Sequence, residues 1–111
     1  MTDFERWDIV TALFPFTDVP VRKPRPVLVL SNVGFNRGHG HVIGCMITTG
    51  AGSRWPSDHP ISDLPPTGLS HASLVRWKLF TLPLRLLGRR IGALSEADRV
   101  GVAARMADIM T

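Results

Sequence analysis

The amino-acid sequence predicts a mainly β fold, a small, strongly bent sheet or barrel with one C-terminal helix packed on it. Three observations point there. Short runs of β-branched and aliphatic residues, alternating or continuous, recur between loops rich in Pro and Gly. Helical spacing with a capping signal is clear only after Leu94. A chain of 111 residues, 44% hydrophobic and 20% charged, is too apolar for disorder and has no room for a second core, so one domain, 1–111, is expected.

Asp8 to Phe16 alternates, with Val10, Ala12, Phe14 and Phe16 on one face and Ile9, Thr11 and Leu13 on the other, and Pro15 closes the run. The second strand follows Lys23-Pro24-Arg25-Pro26. The two prolines fix their own φ at about −65° and push Lys23 and Arg25 toward extended geometry. Val27 to Leu30 is apolar on both faces, as expected of a strand buried on two sides. Val33 to Gly40 reads as Gly-rich turn material, His41 to Thr49 as the third strand, and Gly50 to Asp58 as a loop carrying Trp55.

A short strand is placed around His59 to Asp63, before the turn Leu64 to Gly68. Ala72 to Leu82 reads as a strand whose period of two sets Leu74, Arg76, Lys78 and Phe80 on one side and Val75, Trp77 and Leu79 on the other. After Pro83, a single helical turn from Leu84 to Leu87 ends at Gly88, and Arg89 to Ile91 makes a brief strand. In the last element Ser95 and Asp98 resemble a capping box, and Glu96 and Asp98 lie in the first turn, where the helix dipole favours anions. Val100, Ala103, Ala104, Ala107 and Met110 recur at helical spacing, widened by Met106 and Ile109, and this face is expected to be core.

Thirteen Lys and Arg against nine Asp and Glu give a net charge of +4, and the pI is about 10.6. On so small a surface that favours a polyanionic partner, nucleic acid or an acidic protein. Cys45 is alone, so no intramolecular disulfide forms, and a buried thiol in a reducing compartment is expected. The N-terminus carries Asp3 and Glu5 without a basic segment leading into an apolar one, and the apolar runs are too short to span a bilayer. A cytoplasmic protein without membrane contact is expected.

No metal or cofactor is expected. His39 and His41 flank a glycine without nearby Cys or carboxylate partners, while His59 and His71 stand singly beside turns. There is no Gly-rich loop leading from strand to helix, no G-x-S-x-G, and no base near Cys45 in sequence. What remains is cations and hydroxyls at strand ends: Arg25, Thr48 with Thr49, and Arg76 with Lys78. RNA cleavage by the substrate's own 2′-OH needs help in removing that proton, a proton for the departing 5′ oxygen, and donors aimed at the charge growing on phosphate. Guanidinium forks suit phosphate oxygens, and a fixed threonine hydroxyl adds a neutral hydrogen bond.

An ordered set of segments carries a resemblance. Trp7-Asp8-Ile9-Val10, Phe14-Pro15-Phe16-Thr17-Asp18, Arg25-Pro26-Val27-Leu28-Val29-Leu30-Ser31-Asn32, Met46-Ile47-Thr48-Thr49, Leu74-Val75-Arg76, Thr81-Leu82-Pro83 and Leu87 to Ser95 follow one another over nearly the whole chain. Together they resemble the MazF/PemK family of type II toxin–antitoxin toxins. The resemblance implies an SH3-like β-barrel of the CcdB/MazF kind with a C-terminal helix, a homodimer, and a metal-independent, sequence-specific endoribonuclease acting on single-stranded RNA. It also implies 2′,3′-cyclic phosphate and 5′-hydroxyl products, and a cognate acidic antitoxin as partner.

By motif match, Arg25 takes the position of the family's catalytic arginine, Thr48 that of the threonine ending the third strand, and Arg76 that of an arginine serving as acid or phosphate-binding group in PemK-like members. Two departures stand out. Lys78 occupies the position where PemK-like members commonly carry aspartate, and Trp7 the position where many carry glycine. Arg22 and Lys23 would add attraction to the RNA backbone, with Lys78 able to bind phosphate. Trp55 and Phe35 are candidate stacking platforms for bases. The alternative is a non-catalytic toxin or binding module on the same barrel, acting by binding a protein such as gyrase or by binding RNA without cutting it.

Overall fold

The structure, a computed structural model, describes residues 3–13, 23–50, 52 and 54–111. Six strands make one antiparallel sheet: β1 (Asp8–Leu13), β2 (Pro24–Val29), β3 (His41–Thr48), β4 (His59–Pro60), β5 (Leu74–Pro83) and β6 (Leu87–Ala93). Their order across the sheet is β4-β5-β3-β2-β1-β6. Two helices, α1 (Val33–His39) and α2 (Glu96–Met110), join 3-10 turns at Pro65–Thr67 and Leu84–Leu86. The mainly β fold with a C-terminal helix is as the sequence predicts. Phe14, Phe16 and Arg22 fall outside the described residues.

Both faces of the central strands are buried, as the Val27–Leu30 run requires. Leu28 and Leu30 join Ile9, Cys45, Ile47, Val75, Leu94 and Val102 in one cluster; Val27 and Val29 join Phe4, Val10, Ala12, Val42 and Leu82 in the other. The sheet bends until its two ends meet. The turn after β4 lies so close to β6 that a Cβ on Gly68 would overlap the Ile91 carbonyl, and one on Gly92 would overlap the Pro66 and Thr67 backbone. Gly68, with φ of 74°, also occupies the left-handed region that favours glycine.

Two expectations are corrected. The segment Val33 to Gly40 is not a turn: Val33–His39 is helix α1 and Gly40 its cap. The Asn32 side chain accepts from the Phe35 N–H at 2.8 Å, and Gly40 closes the helix in a left-handed conformation. Buried Asn36 anchors it, donating to the carbonyl of Phe4 at 2.8 Å and to that of Ser31 at 3.2 Å.

The second correction concerns the predicted core face of α2. Val100, Ile109 and Met110 are exposed, at 63%, 46% and 65%, and Ala103, Ala104 and Ala107 are exposed with them. The inward row is Asp98, Val102 and Met106. A carboxylate faces the protein because it receives donors from the β4 side: His59 Nε2 at 2.9 Å, the Ser62 hydroxyl at 2.9 Å, and the Ser62 and Asp63 N–H groups at 3.0 and 3.1 Å. Gly101 continues this contact, since a Cβ there would overlap the His59 ring.

Trp7 has φ of 79°, the one positive value among the described non-glycine residues. A left-handed backbone is the reason glycine suits this position; a tryptophan bears the Cβ strain. Two backbone hydrogen bonds hold it, Trp7 N–H to Val29 O at 2.8 Å and Leu94 N–H to Trp7 O at 3.0 Å, while the ring packs on the core and under the Arg6 guanidinium.

Candidate functional site

Three neighbouring strands set the site. Val27 on β2 pairs with Met46 on β3, and Met46 pairs with Arg76 on β5. Two residues outward along this row, β2 carries Arg25 and β3 carries Thr48, which pairs with Leu74. Because side chains two apart share a face, Arg25, Thr48 and Arg76 all lie on the Val27 face of the sheet. The Pro24-Arg25-Pro26 segment is part of β2 and pairs with β1, Ala12 opposite Arg25, so the arginine backbone is held by β1 on one side and by the two flanking prolines along the chain.

Arg25 and Thr48 line one cleft of about 210 Å³ with Pro26, Met46, Ile47, Thr49 and Ser73. Thr48 Oγ1 accepts from the Gly50 N–H at 3.4 Å, which leaves its own O–H to donate into the cleft. Gly50 makes this turn with φ of 77°, and any Cβ there would press on Leu74 Cδ2 at 2.7 Å. The cleft therefore presents a guanidinium and the Thr48 hydroxyl, donors suited to an anionic oxygen centre.

Arg76 stands one step along the same face, outside that lining. Its Nε and Nη2 donate to Asp58 Oδ1 and Oδ2 at 3.1 and 2.9 Å, a two-pronged pair in which the side chains are only 10% and 8% exposed. The guanidinium also lies 5.3 Å from the centre of the Trp55 ring. The Arg76 fork holds the Asp58 carboxyl below the usual carboxylate range and Asp58 in turn raises Arg76. Asp58 was not singled out from sequence. Its signal was present in Trp55-Pro56-Ser57-Asp58, a Pro-centred turn in which the Asp58 N–H donates to Trp55 O at 3.0 Å and the Trp55 N–H donates to Asp58 Oδ2 at 2.9 Å.

The remaining expected residues are dispersed. Lys78 is exposed and falls, with Trp77, in a break of register between Met46↔Arg76 and Cys45↔Leu79, so the simple alternation from Arg76 stops there. Lys23 is exposed immediately before β2. Phe35 sits on α1 against His39 and lines a different groove of about 360 Å³, with Trp77, Leu79 and Met106, that shares no residue with the Arg25 cleft. Among the described residues no group of three His, Cys, Asp or Glu could hold a metal ion. No described helix is long and apolar enough to cross a membrane.

Comparison with known proteins agrees with the fold and adds the family. Among solved structures, this chain superposes on an endoribonuclease in complex with its cognate antitoxin from a mycobacterial species (TM-score 0.77, 19% identity, covering 99% of this chain and 95% of that one). It superposes equally on MazF from Deinococcus radiodurans (TM-score 0.77, 17% identity, 99% and 98%). Identity is higher, 27%, with the Mycobacterium tuberculosis toxin MazF-mt6 (TM-score 0.71, 93% and 95%). No curated protein sequence matches. The family profile described as the PemK-like, MazF-like toxin of type II toxin–antitoxin systems matches residues 5–110, and the chain belongs to that family.

Proposed function

We propose that this toxin is an endoribonuclease that cuts single-stranded RNA, mRNA included, at preferred sequences and without a metal ion. The observation that carries the reading is the shared cleft: Arg25 and Thr48, remote in sequence, line one pocket of donors. Attack of the 2′-oxygen on phosphorus forms the cyclic bond as the P–O5′ bond breaks. The 2′ proton is lost and the 5′ oxygen gains one, leaving a 2′,3′-cyclic phosphate and a 5′-hydroxyl. Arg25 polarises the scissile phosphate and takes part in proton transfer. Its guanidinium N–H groups donate to the phosphate oxygens on which charge grows. Thr48 adds a neutral donor, and Arg76 holds the RNA side of the site through the Trp55 and Asp58 side chains it braces.

Lys23, Lys78 and Arg22 supply attraction to the phosphate backbone, which makes binding fall steeply with salt. Of the two aromatic candidates, Trp55 is favoured as the base platform near the cleft, and Phe35 would serve RNA reaching its separate groove. The toxin acts in the cytoplasm as a homodimer and is held inactive by a cognate acidic antitoxin. The solved relative described as an endoribonuclease with its cognate antitoxin supports this partnership, as does a net charge of +4. Incubating purified toxin with a long mixed-sequence RNA in EDTA tests the reading. Defined fragments ending in cyclic phosphate are expected from the wild type and a loss of about 10²- to 10³-fold in rate from Arg25→Ala; intact RNA with folded wild-type protein overturns it.

A further inference from the structure

Arg76 is built into its surroundings in a way that a simple phosphate-binding arginine does not require. Both in-plane edges used by Asp58 are committed to a carboxylate that is itself 8% exposed. The face of the guanidinium is given to Trp55 at 5.3 Å. Trp55 is nevertheless 41% exposed, so the indole has a supported side and a side open to solvent. Asp58 also fixes the indole's backbone, accepting from the Trp55 N–H at 2.9 Å and donating its own N–H to Trp55 O at 3.0 Å. A buried ion pair costs desolvation and persists where its geometry is well satisfied, and here the geometry rigidifies one exposed aromatic ring.

We propose that Trp55, Arg76 and Asp58 form a preorganised stacking platform for one base of the RNA, and that Asp58 is the positioning residue on which the platform's grip and base preference depend. Arg76 sits opposite Met46, two residues along β3 from Thr48, a step of about 7 Å along the strand. A base stacked on Trp55 therefore flanks the phosphate seated between Arg25 and Thr48. Aromatic stacking tolerates every base, while a ring fixed in position and orientation favours the one whose edge meets the neighbouring groups. Asp58 acts by removing the freedom that an unpropped indole would lose on binding. The proposal rests on the RNA-cleavage reading for its substrate.

The test separates the two. Binding of a fluorescein-labelled, uncleavable 2′-O-methyl oligoribonucleotide of mixed sequence is followed by anisotropy, and cut sites on a long RNA are mapped by 5′ ends. Trp55→Leu is expected to weaken binding about tenfold and Trp55→Phe by much less, since base–aromatic stacking supplies the affinity. Folded Asp58→Asn should weaken binding at least threefold, and Asp58→Asn with Trp55→Leu should bind no more weakly than Trp55→Leu alone. Asp58→Asn should also broaden the base preference at one position flanking the cut without moving the cut. Asp58→Asn binding as wild type, losses that add in full, or a fall in kcat alone would overturn the platform while leaving cleavage intact. Wild type that binds in the expected pattern without cutting would overturn the cleavage reading and keep the platform. Wild type that does neither overturns both. If Asp58→Asn fails to fold, the Phe and Leu variants of Trp55 decide the matter by whether aromaticity sets binding.

Discussion

Replacing Asp98 by asparagine should cost this small barrel much of its acid-sensitive stability. The carboxylate is 1% exposed and accepts from His59 Nε2, from the Ser62 hydroxyl and N–H, from the Asp63 N–H and from the Ser95 hydroxyl. Burial alone would push its pKa up. The hydrogen bonds from Ser62, His59 and Asp63 outweigh burial and bring it down from 3.8 to about 2. That lowering corresponds to roughly 2 kcal/mol at ~1.36 kcal/mol per tenfold change. Because the folded-state pKa lies below the unfolded one, the unfolded chain binds more protons between them. The contribution is therefore complete well above pH 4, about half gone near pH 3 and nearly all gone at pH 2.

Asparagine keeps one acceptor but turns an NH2 toward donors, so a loss of about 2 to 3 kcal/mol at pH 7 is expected. Urea unfolding of wild type and Asp98→Asn at pH 7, 4, 3 and 2 measures it. The two midpoints should converge as the pH falls toward 2. A gap that stays constant with pH, or a variant as stable as wild type at pH 7, would refute the reasoning.

Other perturbations follow from the same structure. Thr48→Val keeps shape and removes the hydroxyl, so cleavage should fall about tenfold, with Thr48→Ser close to wild type, as steady-state cleavage rates would show. At Trp7, whose φ of 79° strains any Cβ, Trp7→Gly should be more stable than Trp7→Ala by about 1 kcal/mol in denaturant unfolding, the reverse of the order usual in helices and strands. Cys45 is fully buried and burial pushes its thiol up to about 12. A thiol reagent at pH 8 should therefore label it only at the rate of unfolding, and rapid labelling of folded protein would contradict its place in the core.

The strands were legible because β-branched residues and a period of two carry the same information in any context. Val27 to Leu30, apolar on both faces, is buried on both faces. α1 was not legible, since Gly34 and Gly38 lower its helical propensity and its support comes from Asn32 and from Asn36 reaching the distant Phe4 carbonyl. The face of α2 was misread for a related reason. Hydrophobic spacing pointed to Val100 and Met110, but the row that packs inward contains Asp98, made welcome by donors about 35 residues away in sequence. At the site, Arg25 and Thr48 could be paired from strand ends, whereas the Asp58 partner of Arg76 depends on how a loop folds back over β5. The register break at Trp77 and Lys78 leaves no mark in composition, so alternation overstated how far the Arg76 face extends.

RNA cleavage at the Arg25–Thr48 cleft is the activity proposed for this toxin. It is tested most directly by mapping the 5′ ends produced from a long mixed-sequence RNA in EDTA by wild type and by folded Arg25→Ala at equal concentration. A recurrent set of 5′-hydroxyl ends is expected with wild type, and their loss by about 10²- to 10³-fold with Arg25→Ala. The same ends at the same rate from both proteins would contradict it.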